Sequence, residues 1–137
     1  MTTTSNLRPL ADQAAKQAYA PYSRLHVGAA LRAVSGEVYS GCNVENGSLS
    51  LGICAERSAI SAAVLAEGAN FRLAAIAVSA FDSEGRAMAV PPCGACRQIL
   101  KEFGADAAVG FVGEDGDWIE VDVESLLPHG FALPENL

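Results

Sequence analysis

Two segments do most to limit what this chain can fold into. Each opens on a cysteine, reads as a helix, stops at a glycine and leads within a few residues into a short apolar run. Cys54 to Glu67 is followed by Gly68 and then by Leu73 to Ala80 (LAAIAVSA). Cys93 to Phe103 is followed by Gly104 and then by Ala107 to Val112. A continuous apolar run of this length suits a strand buried on both faces. Glycine at the end of a helical stretch relieves the backbone where the helix stops. Helix then buried strand, twice over, calls for crossover connections and for helices packed on a sheet.

The flanking segments complete the pattern. Leu7, Leu10, Ala14, Ala15 and Ala18 share one helical face between Ser5 and Ala20, and Pro21 ends that helix. Leu25 to Val34, the turn Ser35-Gly36 and Glu37 to Cys42 read as a β-hairpin. A polar loop, Asn43 to Gly52, leads to the first cysteine helix. The acidic turn GEDGD precedes a last strand, Trp118 to Val121, and a short helical turn, Val123 to Leu127. The order α-β-β-α-β-α-β-β predicts an α/β fold, a three-layer α/β/α sandwich around a mixed five-stranded sheet, as one domain over residues 1–137. Trp118 is expected to start an edge strand and pack there. Cys42 is expected to be a buried small hydrophobe. His26 and His129 are expected in loops or on the surface, away from any metal.

Charge removes several function classes. The formal net charge is -7, and no basic run exists. Long nucleic-acid backbones select for a positive footprint, so polymeric DNA or RNA is not an expected partner. A nucleoside, which carries no phosphate, stays open. The start MTTTSNLRPLADQ has no apolar signal core, and no stretch is long enough to span a bilayer, so the expected location is the cytoplasm. In a reducing compartment the four cysteines read as metal ligands or thiols rather than disulfides.

Cys93 and Cys96 lie one turn apart at a helix start, with Pro92 suited to the first turn. That spacing alone serves a zinc site and a redox couple equally. Cys54 also opens a helix, and in a parallel arrangement successive helices start at the same sheet edge. Three convergent thiolates make a zinc shell with an open fourth position. The competing readings are a structural zinc knot with a fourth protein ligand and a thiol redox pair without zinc. Excess negative charge on three thiolates would be offset by the two helix N-termini. Arg57, three residues after Cys54, would add hydrogen bonds from outside the ligand shell. Glu56, two residues after Cys54, can reach the open side of the metal without binding it, as a proton carrier requires.

With these residues assembled, the chain resembles the zinc-dependent cytidine deaminases of the short, homotetrameric type. The resemblance spans nearly the whole chain: AYAPYSRLHVGAAL (Ala18 to Leu31), GCNVEN (Gly41 to Asn46), CAERSAI, PCGACRQIL and LLPHGF (Leu126 to Phe131), in that order. It implies one zinc per subunit on Cys54, Cys93 and Cys96, with Glu56 carrying the proton, as zinc deaminases in general do. It further implies Asn43 and Glu45 on the ribose hydroxyls and the Ala55 backbone on the base. Phe131 would reach in from a neighbouring subunit of a homotetramer. The implied reaction converts cytidine or 2′-deoxycytidine to the uridine counterpart and ammonia, in pyrimidine salvage. Two positions depart from the family pattern. Leu25 stands where phenylalanine is usual, and Leu49 where tyrosine is usual, with Ser50 in place of a common glycine. Lost ring stacking is worth roughly 0.5–1.5 kcal/mol beyond burial. The alternative expectation is therefore a deaminase for another amino-heterocycle or a modified nucleoside.

Overall fold

The computed structural model describes residues 4–135. Its centre is a five-stranded sheet built from β1 (His26–Ala33), β2 (Val38–Cys42), β3 (Leu73–Phe81), β4 (Ala108–Val112) and β5 (Trp118–Asp122). The spatial order is β2-β1-β3-β4-β5. Strand β1 is antiparallel to both β2 and β3, so β2 and β3 run in the same direction. The β3–β4 pair is parallel and β4–β5 antiparallel, which makes the sheet mixed, as expected.

Helix α1 (Arg8–Ala15) covers one face, where Leu7 and Ala11 meet Ala30, Ala75 and Ala77. Helices α2 (Ala55–Glu67) and α3 (Gly94–Phe103) cover the other. There Ala59, Ile60 and Ala63 of α2 and Leu100 of α3 join Leu31, Ile76, Val78 and Val109 in the larger core. A short helix, α4 (Val123–Leu126), packs beside α3. The three-layer expectation holds. Among the described residues, no helix is long and apolar enough to cross a membrane.

Two glycines allow the close approach that this layering needs. A Cβ on Gly28 would lie 2.0 Å from the Ala11 carbonyl oxygen, so α1 rests directly on β1. A Cβ on Gly41 would lie 2.5 Å from the Ala59 nitrogen, so α2 rests directly on β2. Alanine-rich helix faces and glycine-bearing strands are thus one design seen from its two sides.

Three expectations need correction. The first helix is shorter than Ser5 to Ala20. Pro9 lies in its first turn, and at the other end the Tyr19 backbone leaves to pair with the 43–45 segment. His26 is not in a loop but opens β1, half-buried. Cys42 is half-buried rather than buried, because β2 is an edge strand with one side open. Trp118 does open the edge strand β5. Its Nε1 donates to Thr4 Oγ1 at 3.1 Å, and the Arg8 guanidinium sits 4.6 Å from its ring centre.

Candidate active site

Strand directions explain how distant cysteines meet. Each of β2 and β3 feeds a helix on the same face, and because the two strands run alike, α2 and α3 begin at the same sheet edge. Cys54 is the N-cap residue of α2 and Cys93 the N-cap residue of α3, both in extended backbone conformation. Neither side chain is used to cap its helix, so both sulfurs are free for other work. Cys96 lies in the first turn of α3 and is fully buried. The three Sγ atoms all lie within 4.8 Å of one another. A tetrahedral zinc with Zn–S bonds of about 2.3 Å would hold its sulfurs about 3.8 Å apart, so the cluster fits such an ion with a small contraction.

The electrostatics suit a cation. The Cys54 thiol is lowered to about 6, chiefly because Cys96 donates a hydrogen bond to it; Cys93 does the same and the Arg57 charge adds to the effect. Cys96 is pushed up for the converse reason, its proton being shared with Cys54. Two helix N-termini contribute partial positive charge at the same place. Arg57 itself is exposed and lies outside the cavity described next; its part is electrostatic.

A cavity of about 450 Å³ adjoins the sulfurs. Cys54, Ala55, Glu56 and Cys93 line it together with Leu25, Asn43, Glu45 and Leu49. Glu56 is only 4 % exposed, and desolvation, followed by the Cys54 charge, raises its carboxyl above the ordinary value. Leu25 is half-buried in the wall, whereas Leu49 is 77 % exposed on a single 3₁₀ turn, Leu49–Leu51. No aromatic side chain lines the cavity among the described residues.

Asn43 and Glu45 line the cavity with much of their hydrogen-bonding capacity already in use. Asn43 Oδ1 accepts the Val27 N–H at 2.8 Å, and its Nδ2 donates to the Leu25 carbonyl at 2.8 Å. Glu45 accepts the backbone N–H groups of Tyr22 and Ser23 and the Ser23 hydroxyl. These bonds brace the polar loop, and both residues also face the cavity. Phe131 is not part of the cavity. It is 65 % exposed, and its backbone is held by Gln98, whose Nε2 donates to the Phe131 carbonyl at 2.8 Å. His129 lies in a turn at φ 55°, as expected. Ser23, Val27, Val90 and Pro91 are wall residues to which sequence reasoning gave no role.

Residues 1–112 match the family model described as the cytidine and deoxycytidylate deaminase zinc-binding region. The chain belongs to the cytidine deaminase family. All three cysteines and Glu56 fall inside the matched region, and zinc is the cofactor. The cytidine deaminase of Sporosarcina psychrophila is 46 % identical over 121 residues, covering 88 % of this chain and 85 % of that protein. The cytidine deaminase of Halalkalibacterium halodurans is 46 % identical over 124 residues, covering 90 % of this chain and 89 % of that protein. The crystal structure of cytidine deaminase from Burkholderia pseudomallei superposes with a TM-score of 0.81 at 41 % identity, covering 96 % of this chain and all of that one. The five-stranded sheet and its helices are thus the cytidine deaminase fold.

Proposed function

We propose that the chain deaminates cytidine and 2′-deoxycytidine hydrolytically, giving uridine or 2′-deoxyuridine and ammonia. The observation that carries this reading is Glu56: a buried carboxyl, raised above its ordinary value by desolvation, in the wall of a nucleoside-sized cavity, two residues from a sulfur of a zinc-compatible cluster. Cys54, Cys93 and Cys96 would hold one zinc per subunit. Zinc bound there supplies the Lewis acidity that lets water act as a nucleophile near neutral pH.

The chain's own residues do the rest. Glu56 takes a proton from the attacking water and passes it to the ring nitrogen beside the amine-bearing carbon. It then takes the proton of the hydroxyl formed on that carbon and hands it to the amino group, so that the C=O forms, the C–N bond breaks and ammonia leaves. A carboxyl raised above its ordinary value by burial serves both directions of transfer. The two helix N-termini and the Arg57 charge offset the negative charge of three thiolates. The Ala55 backbone would fix the base beside Glu56, and Asn43 and Glu45 would take the sugar hydroxyls. Leu25 and Leu49 give the base an aliphatic wall. The names of the relatives favour cytidine over the other amino-heterocycle suggested by those two leucines.

The active assembly would be a homotetramer in the cytoplasm, working in pyrimidine salvage, with Phe131 closing a neighbour's pocket. Two features support an oligomer: the exposed Phe131, and the hollow between α2 and α3, where Ile60, Val64, Leu65, Ile99 and Phe103 stand beside Arg57 and Ser61 and Leu65 is 90 % exposed. Sedimentation equilibrium tests the assembly. Ammonia release from cytidine by zinc-loaded protein tests the reaction, with Glu56→Ala as the control. Full turnover in that control would overturn the proton-carrier role.

A further inference from the structure

Glu45 sits in a nest built by residues 22–25. Its Oε1 accepts the Tyr22 N–H at 2.9 Å and the Ser23 N–H at 3.1 Å. Its Oε2 accepts the Ser23 hydroxyl. That hydroxyl in turn accepts the Leu25 N–H at 3.0 Å, which fixes the direction in which its proton points. Arg24, at φ 60°, makes the tight turn that gathers these groups, and its N–H closes the turn onto the Ala20 carbonyl. A left-handed conformation at a non-glycine residue is costly and persists where the surroundings hold it.

A carboxylate offers about four acceptor positions. The Tyr22 and Ser23 N–H groups take both positions on Oε1, and the Ser23 hydroxyl takes one on Oε2. One acceptor position remains, on Oε2. Ser23 and Glu45 line the same cavity as Glu56. The N–H pair anchors Oε1, but the torsion that swings Oε2 is intrinsically broad, so the Ser23 hydroxyl is what pins the second oxygen.

We propose that Ser23 is a positioning residue that sets the pocket's selectivity for a hydroxylated sugar, by holding Glu45 so that its last acceptor position meets one hydroxyl of the nucleoside. This rests on the reading of Glu45 as a sugar contact. Ser23 itself needs no contact with substrate. A site built around a fixed, partly used acceptor rejects a sugar that cannot fill it, because the acceptor is then desolvated without a donor.

The test compares cytidine with 2′,3′-dideoxycytidine, which lacks both hydroxyls and so probes the contact whichever hydroxyl makes it. Steady-state kcat and KM are measured for wild type, Ser23→Ala, Ser23→Thr and Glu45→Ala. In Ser23→Ala the preference for cytidine, as a ratio of kcat/KM values, should fall about tenfold, the scale of one hydrogen bond to a charged group. The fall should come from KM for cytidine, with KM for the dideoxy analogue unmoved. Ser23→Thr, which keeps the hydroxyl, should restore the ratio. A Ser23→Ala enzyme that keeps the wild-type ratio, or loses both substrates equally, overturns the proposal and leaves Ser23 a purely structural residue. If Glu45→Ala itself keeps the ratio, the sugar role of Glu45 is wrong and the proposal falls with it. A ratio lost in Glu45→Ala but kept in Ser23→Ala condemns the positioning role alone.

Discussion

The cavity has two parts that were built in opposite ways. Around the sulfurs, the decisive carboxyl is deprived of solvent: Glu56 is desolvated, while Cys54 and Cys93 cap nothing and hydrogen-bond with Cys96. Around Glu45 and Asn43, functional groups are supplied with partners in advance, mostly backbone N–H and C=O groups of residues 22–27. Chemistry needs groups whose energy changes as the reaction proceeds, and deprivation provides that. Recognition needs groups that do not move, and pre-formed hydrogen bonds provide that. The comparison makes a claim that mutation can break: residues near the sulfurs should matter to turnover and little to folding, and residues near Glu45 should matter to both.

The largest effect is expected at Cys96. It is fully buried and supplies the third sulfur, so Cys96→Ser should lose zinc on dialysis and lose turnover with it. Zinc retained at one per chain, measured by atomic absorption, would break the ligand assignment. Next comes Glu56→Gln, which keeps the shape and removes the proton carrier. Turnover should fall on the order of 10²–10⁴-fold, the usual contribution of a positioned general acid–base. Because burial disfavours the charged form of Glu56, the denaturant midpoint should not fall in the same variant. A variant that is both inactive and markedly destabilised would blur the contrast between the two parts.

Asn43→Ala is the counterpart. It orphans the Val27 N–H and the Leu25 carbonyl, and each lost bond to a part-buried group is worth about 1 kcal/mol, so stability should drop by about 2 kcal/mol. KM for cytidine should rise in step, with kcat less affected. An unchanged denaturation curve would mean that water replaces the side chain without cost, and the pre-formed character of this part would be lost.

The same contrast separates what the sequence discloses from what it hides. Cys54, Glu56, Cys93 and Cys96 are legible because spacing on a helix start is a local property, and because helix-then-strand order, repeated, brings both helix starts to one sheet edge. The sheet follows from the same order together with the apolar runs 73–80 and 107–112. Ser23 is not legible as a partner of Glu45. A sequence names side chains, but the donors here include main-chain N–H groups, and their convergence depends on Arg24 taking a left-handed turn that its residue type does not favour. The extent of the first helix was hidden for a related reason: its end is set by the Tyr19 backbone pairing with residues 43–45, a contact between segments far apart in the chain. Leu25 and Leu49 are legible as departures from a pattern, but only the structure reveals that no aromatic ring among the chain's described residues lines the cavity.

The smallest expected effect is a pH dependence, and its sign is opposite in the two parts. Glu45 lies below its ordinary carboxyl value of 4.5, first through the Ser23 hydroxyl, then through the Ser23 N–H, with Tyr22 and the His26 charge adding to them. A carboxyl lowered in the folded state contributes stability that is complete above its unfolded value. That contribution is lost as pH falls through the folded value. The gap in denaturant midpoint between wild type and Glu45→Gln should therefore be steady near pH 6 and close as the solution is taken below about 4.5. Zinc loss at low pH affects both proteins and cancels in the difference. Ser23→Ala should narrow the gap and move its closure upward in pH, because the strongest donor to the charged form is gone. A gap that widens on acidification would mean that the nest favours the protonated carboxyl. Glu45 would then share the character of Glu56, and the division of the cavity into a deprived part and a supplied part would not stand.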